Sequence, residues 1–366
     1  MTRWAILTGE YPPQPGGVSD YTRLVARGLE DAGDAVRVYA PCAGDVPEPS
    51  DGGVEVHRLP GRFGPRSLVE LERALRGFRP DCILVQYVPQ AFGWKAMNLP
   101  FALWCAARAA RFAPVRVMFH EVAVPFRRWP ASHALLGSVT PVLARLVAGA
   151  AERVYVAIPA WGPLLNSGRA AEWLPVPCTL EPGTAPVAVK SASRVGHFGT
   201  YGELIAAMLI PAIGELLRFT TADILLIGRG SREFLARLIA LHPEFAGRIS
   251  ATGERPGPEV SAHLRSCDLL VQPYPDGISS RRTSAMAGLA NGVPVVTNLG
   301  PLSEPLWTGG AVAGPPMPDP AALARCAAEL LGDPAAPAEL GRRGAALYRE
   351  TFAIEHTIAR LRDGHG

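Results

Sequence analysis

The sequence predicts an α/β chain built from two Rossmann-like units, and three observations carry that prediction. At 366 residues the chain is about twice the length of an ordinary domain, so two cores are expected. Strand-like runs alternate with helical ones from end to end, which is the pattern of parallel sheets covered by helices. The alternation stops once, in LPVPCTLEPGTAPVAVKSAS over residues 174–193, and then restarts on a fresh glycine-rich strand end.

In the first half, strands are expected at Trp4–Thr8, Val36–Ala40, Val54–Arg58, Cys82–Gln86, Val115–His120 and Val154–Ile158. Helices lie between most of them, at Asp20–Asp31, Leu68–Phe78 and His133–Ala150. These elements make an N-terminal domain over residues 1–180. Residues 181–193 read as the linker, rich in Pro, Ser, Thr and small residues and without periodicity. The strand segments RVGHFG, ADILLIGRG, RISATG, CDLLVQPYP and PVVTN, separated by helices, make a C-terminal domain over 194–345. The last stretch, 346–366, reads as a helix packing back on the first domain. Ligands of open parallel sheets bind beyond the carboxyl ends of the strands, so the two units are expected to face one another across a cleft.

Composition narrows the function. The hydrophobic fraction of 48% is globular, and no apolar stretch reaches about 18 uncharged residues, so at most peripheral membrane contact is expected. FALWCAARAARF comes nearest and is broken by arginines. The chain enters the strand-like RWAILTG without the layout of a secretory signal, so a cytoplasmic location is expected. The six cysteines stand singly without ligand spacing and read as reduced core residues. A net charge of +3 is too small to argue for nucleic acid. Only Lys95 and Lys190 are lysines among 36 Lys and Arg residues, so cationic chemistry falls to arginine.

The stretch PYPDGISSRRTSAMAGLANGVPVV, residues 273–296, reads as a strand end, a glycine turn, a helix capped by Ser279 or Ser280, and a second strand. It sets Arg281 and Arg282 in the first helical turn, where each costs on the order of 0.3–1 kcal/mol against the helix dipole unless an anion offsets it. Their guanidiniums can grip phosphate oxygens in a fork, beside amides that favour an anion. An ion pair with a nearby Asp or Glu is the alternative. Asp276 either caps a turn or grips sugar hydroxyls.

Other strand ends carry further candidates. In GEYPPQPGGVSDYTR the prolines stiffen the loop, Gly16-Gly17 admits a ligand to the backbone, and Ser19 or Asp20 caps the next helix. VMFHEV places His120 at a strand terminus, either as a structural histidine or as a site residue. VGHFGTYGE and LLIGRGSRE set Gly199, Arg229 and Arg232 just after strands, as site residues or as a solvated helix start. For an acceptor, QAFGWKAMN and VPFRRWP offer Phe92, Trp94, Arg127, Arg128 and Trp129, which serve equally as a packed lid.

Together, YPPQPGGVSDYTRLVARGLEDAGDAVRVYAP, FHE, LLIGRGSREFLARL, VSAHLRSCDLLVQPYPDG and AMAGLANGVPVVTNLGPLSEPLW, in this order and spacing, resemble the GT-B retaining glycosyltransferases of family four. The resemblance covers nearly the whole chain. It implies a nucleotide-sugar donor, an acceptor hydroxyl on a small molecule, glycan or lipid-linked sugar, and retention without a metal or other cofactor. Gly16 and Gly17 correspond to the family's N-terminal glycine loop near the acceptor. His120 matches the histidine that contacts the donor sugar. Asp276 falls at the first Glu of a paired-Glu motif, with Gly277 and Ile278 beside it on the donor, and Glu304 resembles the acid of the loop after the next strand.

Two positions depart from the pattern. Ser284 stands where the second Glu would bind the ribose, and VGHFGTYGE lacks the Arg and Lys that commonly hold the diphosphate. Arg281 and Arg282, with Arg229 and Gly199, are the expected replacements at the diphosphate. The rival readings are a nucleotide-sugar epimerase and a non-catalytic sugar-nucleotide binding protein.

Overall fold

A computed structural model describes residues 1–42, 51–93, 96–97, 99–123, 131–166, 168–180 and 193–364, the side chains of 131–135 excepted. The chain divides into two compact units, Met1–Pro175 together with Ile354–Gly366, and Val176–Ala353.

The first unit contains strands β1 (Arg3–Thr8), β2 (Ala35–Pro41), β3 (Glu55–Leu59), β4 (Cys82–Tyr87), β5 (Val115–Phe119), β6 (Arg153–Val156) and β7 (Glu172–Trp173). They pair in parallel in the order β3-β2-β1-β4-β5-β6-β7. β4 and β5 are buried at every position, as strands must be when helices cover both faces of a parallel sheet. The two-residue edge strand β7 has no alternation to announce it, and the sequence does not predict it. Leu71, Ile83, Val85, Phe101, Val117 and Val147 belong to one apolar core, and so does Phe92. Phe92 stacks on Phe101 with ring centroids 4.1 Å apart, so it is a core residue and not an acceptor contact.

The helix Ile354–Arg362 belongs to this unit. A Cβ on Gly28 would lie 2.8 Å from Ile358 Cδ1, so the helix Gly17–Asp31 meets it at a glycine. Arg116 on β5, 1% exposed, donates to the carbonyl oxygens of Leu361 and, at 2.9 Å, Asp363, satisfying acceptors at the end of that helix.

The second unit contains β8 (Arg194–Phe198), β9 (Asp223–Ile227), β10 (Ile249–Ala251), β11 (Leu269–Gln272) and β12 (Val295–Thr297), all parallel in the order β10-β9-β8-β11-β12. Both sheets therefore reverse their strand order beside their first strand, between β1 and β4 and between β8 and β11. That reversal opens a crevice at the carboxyl edge of such a sheet.

The unit boundaries differ from the expected ones because packing extends past the composition change. Val176 N–H donates to Ser280 O at 2.9 Å, and Cys178 and Leu180 pack with Tyr274, Ile278 and Met286, so the second unit begins at Val176. Phe352 stacks on Trp307 at 5.5 Å, which keeps the chain in this unit through Ala353 instead of releasing it at 346. Of the expected linker, 181–192 lie outside the described residues. Four cysteines are buried, but Cys42 is exposed and Cys326 half-buried. Among the described residues no helix is long and apolar enough to cross a membrane.

Candidate functional site

At the end of β11 the chain turns through Tyr274–Asp276 and passes Gly277 at φ 87°. A Cβ there would lie 2.3 Å from Gly300 N, so conformation and space both demand glycine. The loop after β12 braces this turn. Leu302 N–H donates to Asp276 O at 3.1 Å, Ile278 N–H to Asn298 O at 2.9 Å, and Ser303 Oγ to Ile278 O at 2.6 Å.

The following helix spans Thr283–Ala290 with Arg282 as its N-cap, so it starts later than the serines suggest. Ser279 and Ser280 are fully buried loop residues and cap nothing. Neither arginine lies in the first helical turn, and the expected dipole cost does not arise in that form. Two N-terminal amides are also occupied, Thr283 N–H by Arg281 O at 3.1 Å and Ala285 N–H by Arg282 O at 3.0 Å.

What meets the two positive charges is Asp276. Its Oδ2 accepts from Arg281 Nη2 at 2.7 Å and its Oδ1 from Arg282 Nη2. Arg282 also lies over the Tyr274 ring, 4.6 Å from the centroid, and the Tyr274 hydroxyl shares a 2.7 Å hydrogen bond with Ser284 Oγ. Five side chains thus form one cluster with two cations and one anion. Burial works against the Asp276 charge, but the nearby Arg282 and Arg281 outweigh it and hold the carboxyl below its ordinary range. For Arg282 the balance is opposite. Burial and repulsion from Arg281 exceed the help of a shared carboxylate, and its pKa is lowered. The carboxylate gains from two partners, while the two guanidiniums share it.

Glu304, 7% exposed, holds the cluster from behind. Its carboxylate accepts from Ser280 N–H at 3.1 Å, from Ser280 Oγ–H, and from Trp307 Nε1–H at 2.7 Å. It positions the turn that carries the arginines. Gly199 follows β8 on the same sheet edge, where Gln272 Nε2 donates to Phe198 O at 3.1 Å. Arg229 and Arg232 follow β9 on that edge and are exposed, Arg229 with no partner among the described residues. The structure joins Asp276, Arg281 and Arg282 directly, Ser284 through Tyr274 and Glu304 through Ser280, and Arg229 only by its edge.

On the first unit's edge the buried His120 is neutral. His120 follows β5 and its Nε2 pairs with Gln86 Oε1 at 2.8 Å, while its ring meets Tyr21 edge-on at 4.6 Å. Burial pushes its pKa down to about 3, so it is uncharged near neutral pH. With Nε2–H donating to the Gln86 oxygen, Nδ1 is the acceptor.

At the glycine pair the helix spans Gly17–Asp31 with Gly16 as N-cap, so Ser19 and Asp20 lie inside it and cap nothing. The cap is Glu10, whose Oε1 accepts from Val18 N–H at 3.2 Å and Ser19 N–H at 3.0 Å. A Cβ on Gly16 would lie 2.2 Å from that oxygen, whereas one on Gly17 would meet nothing within 4 Å. Burial raises the Glu10 pKa despite those hydrogen bonds. Trp94, Arg127, Arg128 and Trp129 lie outside the described residues.

Sequence reasoning missed Glu10 and Gln86. The available signal for Gln86 is a glutamine inside the apolar strand CILVQY. Glu10 caps from before the glycine pair, a spacing that no local capping pattern covers.

A glycosyl transferase 4-like domain model matches residues 16–179, and a glycosyl transferases group 1 model matches 193–333. Among solved structures the chain is similar to sucrose-phosphate synthase from Thermosynechococcus elongatus, with TM-score 0.73, 18% identity, and 99% of this chain and 97% of that one covered. It is similar also to HepE of Anabaena in complex with UDP and glucose, with TM-score 0.68, 15% identity, and 99% and 98% covered. A third is WaaG, a glycosyltransferase involved in lipopolysaccharide biosynthesis, with TM-score 0.62, 14% identity, and 99% and 100% covered. No curated protein matches the sequence. At these identities the structures speak for the fold, while the two domain models, in this order, span most of the chain. The chain belongs to the GT-B glycosyltransferases of family four, its first unit matching the glycosyl transferase 4-like domain and its second the group 1 domain.

Proposed function

We propose that the chain transfers a sugar from a nucleoside-diphosphate sugar to an acceptor hydroxyl, with retention and without a metal. The carrying observation is the pair of guanidiniums that share one carboxylate at the carboxyl edge of the second sheet. A leaving diphosphate gains negative charge in the transition state, and preorganised cations aimed at it lower the barrier. Arg281 and Arg282 supply that charge, held in place by Tyr274 and by Glu304 through Ser280. Arg229 and the Gly199 amide region extend the same edge toward the diphosphate. That HepE, similar in fold, is seen with UDP and glucose supports a donor of this class.

Asp276 accepts from hydroxyls of the transferred sugar, with Gly277 and Ile278 beside it, and Ser284 faces the nucleoside. His120, neutral and with Nδ1 as acceptor, orients the sugar, and the Gly16-Gly17 loop serves the acceptor. With retention the donor phosphate takes the acceptor's proton, so no enzymic nucleophile is required.

The test is a thermal-shift screen over UDP-, GDP-, ADP- and dTDP-sugars, in which the donor bound by the native state raises the melting temperature. That donor is then incubated with acceptor in the presence of chelator, and the anomeric configuration of the product is read by NMR. Transfer with retained configuration supports the proposal. Inverted product, epimerised donor without transfer, or binding without turnover contradicts it.

A further inference from the structure

The Asp276 cluster carries a consequence for how a donor enters. The anion between Arg281 Nη2 and Arg282 Nη2 is the protein's own carboxylate, that of Asp276. A carboxylate and a phosphate offer the same acceptor oxygens to the same guanidinium edges, so both cannot hold those edges fully at once. The side chains are 20–28% accessible, enough for a ligand to reach and little enough that water cannot readily replace a lost partner. Among the described residues Arg282 Nε is buried without a partner, and Arg282 shares the Asp276 carboxylate with Arg281.

We infer that Asp276 is an internal stand-in for the donor's diphosphate, and that donor binding exchanges one anion for the other. The diphosphate takes Arg281 and Arg282, and the Asp276 oxygens, released from both, become free acceptors for hydroxyls of the attached sugar. Phosphate capture and sugar recognition are then coupled through one residue. A nucleoside diphosphate without sugar displaces the carboxylate and leaves it unpaired, whereas a nucleotide sugar gives it new donors. The protein discriminates for the intact donor and against its own by-product. This rests on the diphosphate reading of the site proposed above.

The test compares wild type with Asp276→Asn and Asp276→Ala by calorimetric titration of UDP, GDP, ADP and dTDP, and of the corresponding nucleotide sugars. For the nucleotide the protein prefers, both variants are expected to bind the free diphosphate about tenfold more tightly than wild type, the scale of a modest coupling between sites. They are expected to bind the nucleotide sugar no better and to turn it over more slowly. In Asp276→Asn with Arg281→Ala the gain in diphosphate affinity should vanish, and melting curves of the unliganded variants confirm that unit two is folded. Equal or weaker diphosphate binding in the folded single variants overturns the inference while leaving the diphosphate site standing. Absence of diphosphate binding in wild type and variants alike overturns both.

Discussion

Each sheet carries a fully buried glutamine near the carboxyl end of its fourth-ordered strand, Gln86 in β4 and Gln272 in β11, and each glutamine ties a neighbouring strand end in place. Beyond that shared plan the two edges diverge. In the first unit Gln86 holds His120, whose burial keeps it neutral, and the helix amides at the glycine pair are answered by Glu10. In the second unit the edge holds two arginines against one aspartate. A buried edge that stays neutral suits hydroxyl groups, which need oriented acceptors and donors. An edge where two arginines share one carboxylate suits an anion, which can take the same guanidinium donors.

The contrast can be broken by removing the charge. Arg281→Ala and Arg282→Ala are each expected to lower turnover of the nucleotide sugar by about 10²–10³-fold with the fold intact, the cost of losing one preorganised donor to a developing anion. Steady-state kinetics check this, and unchanged kinetics in both variants would remove the arginines from the mechanism.

Removing the support behind the arginines should act on stability first. Glu304→Ala leaves the Ser280 and Trp307 N–H groups buried without their acceptor and is expected to destabilise the second unit by about 3 kcal/mol. Denaturant unfolding followed by circular dichroism reads it, and a change below about 0.5 kcal/mol would contradict the bracing role.

Among the described residues each unit carries one buried neutral histidine, so acid should weaken both. Burial lowers His120 to about 3 and His197 to about 4, against about 6.5 unfolded, so unfolding takes up a proton at each below that value. Their contribution is complete above about pH 6.5 and falls as pH drops, by about 1.4 kcal/mol per unit for each until its folded pKa is reached. Unfolding free energies between pH 7 and 5 test this, and His197→Gln should flatten the slope for the second unit alone. A second-unit slope unaltered by His197→Gln would place the acid sensitivity elsewhere.

The smallest effect is expected at the neutral edge. Gly16 sits at φ 175°, which any residue adopts, so Gly16→Ala costs only the displacement of Glu10 from its amides, about 1 kcal/mol. A loss above about 3 kcal/mol would mean that backbone, not the Glu10 side chain, must move.

The comparison also shows what was legible in the sequence. Long apolar strands such as CILVQY and the alternation of elements announce both parallel sheets, because period and burial are local properties. The arginine pair announces an unbalanced charge for the same reason. Its partner was less legible. Asp276 reaches both arginines because Gly277 folds the turn back against Gly300, a contact between two loops with no local signature. The helix start was misplaced by the same geometry, since Ser280 is held by Glu304, which lies beyond β12 in sequence. Phe92 sits in a polar-looking loop and is buried only because Phe63 and Phe101 come to it from other elements. Cap and core partners distant in sequence are set by topology, and composition carries no trace of them.

The central claim is that Arg281 and Arg282 form the anion site for a nucleoside diphosphate. Thermal-shift titration of wild type and of the Arg281→Ala, Arg282→Ala double variant against UDP, GDP, ADP and dTDP tests it most directly. At least one of these should raise the wild-type melting temperature in proportion to ln(1 + [L]/Kd) and leave the double variant unmoved. An equal rise in both proteins would contradict it.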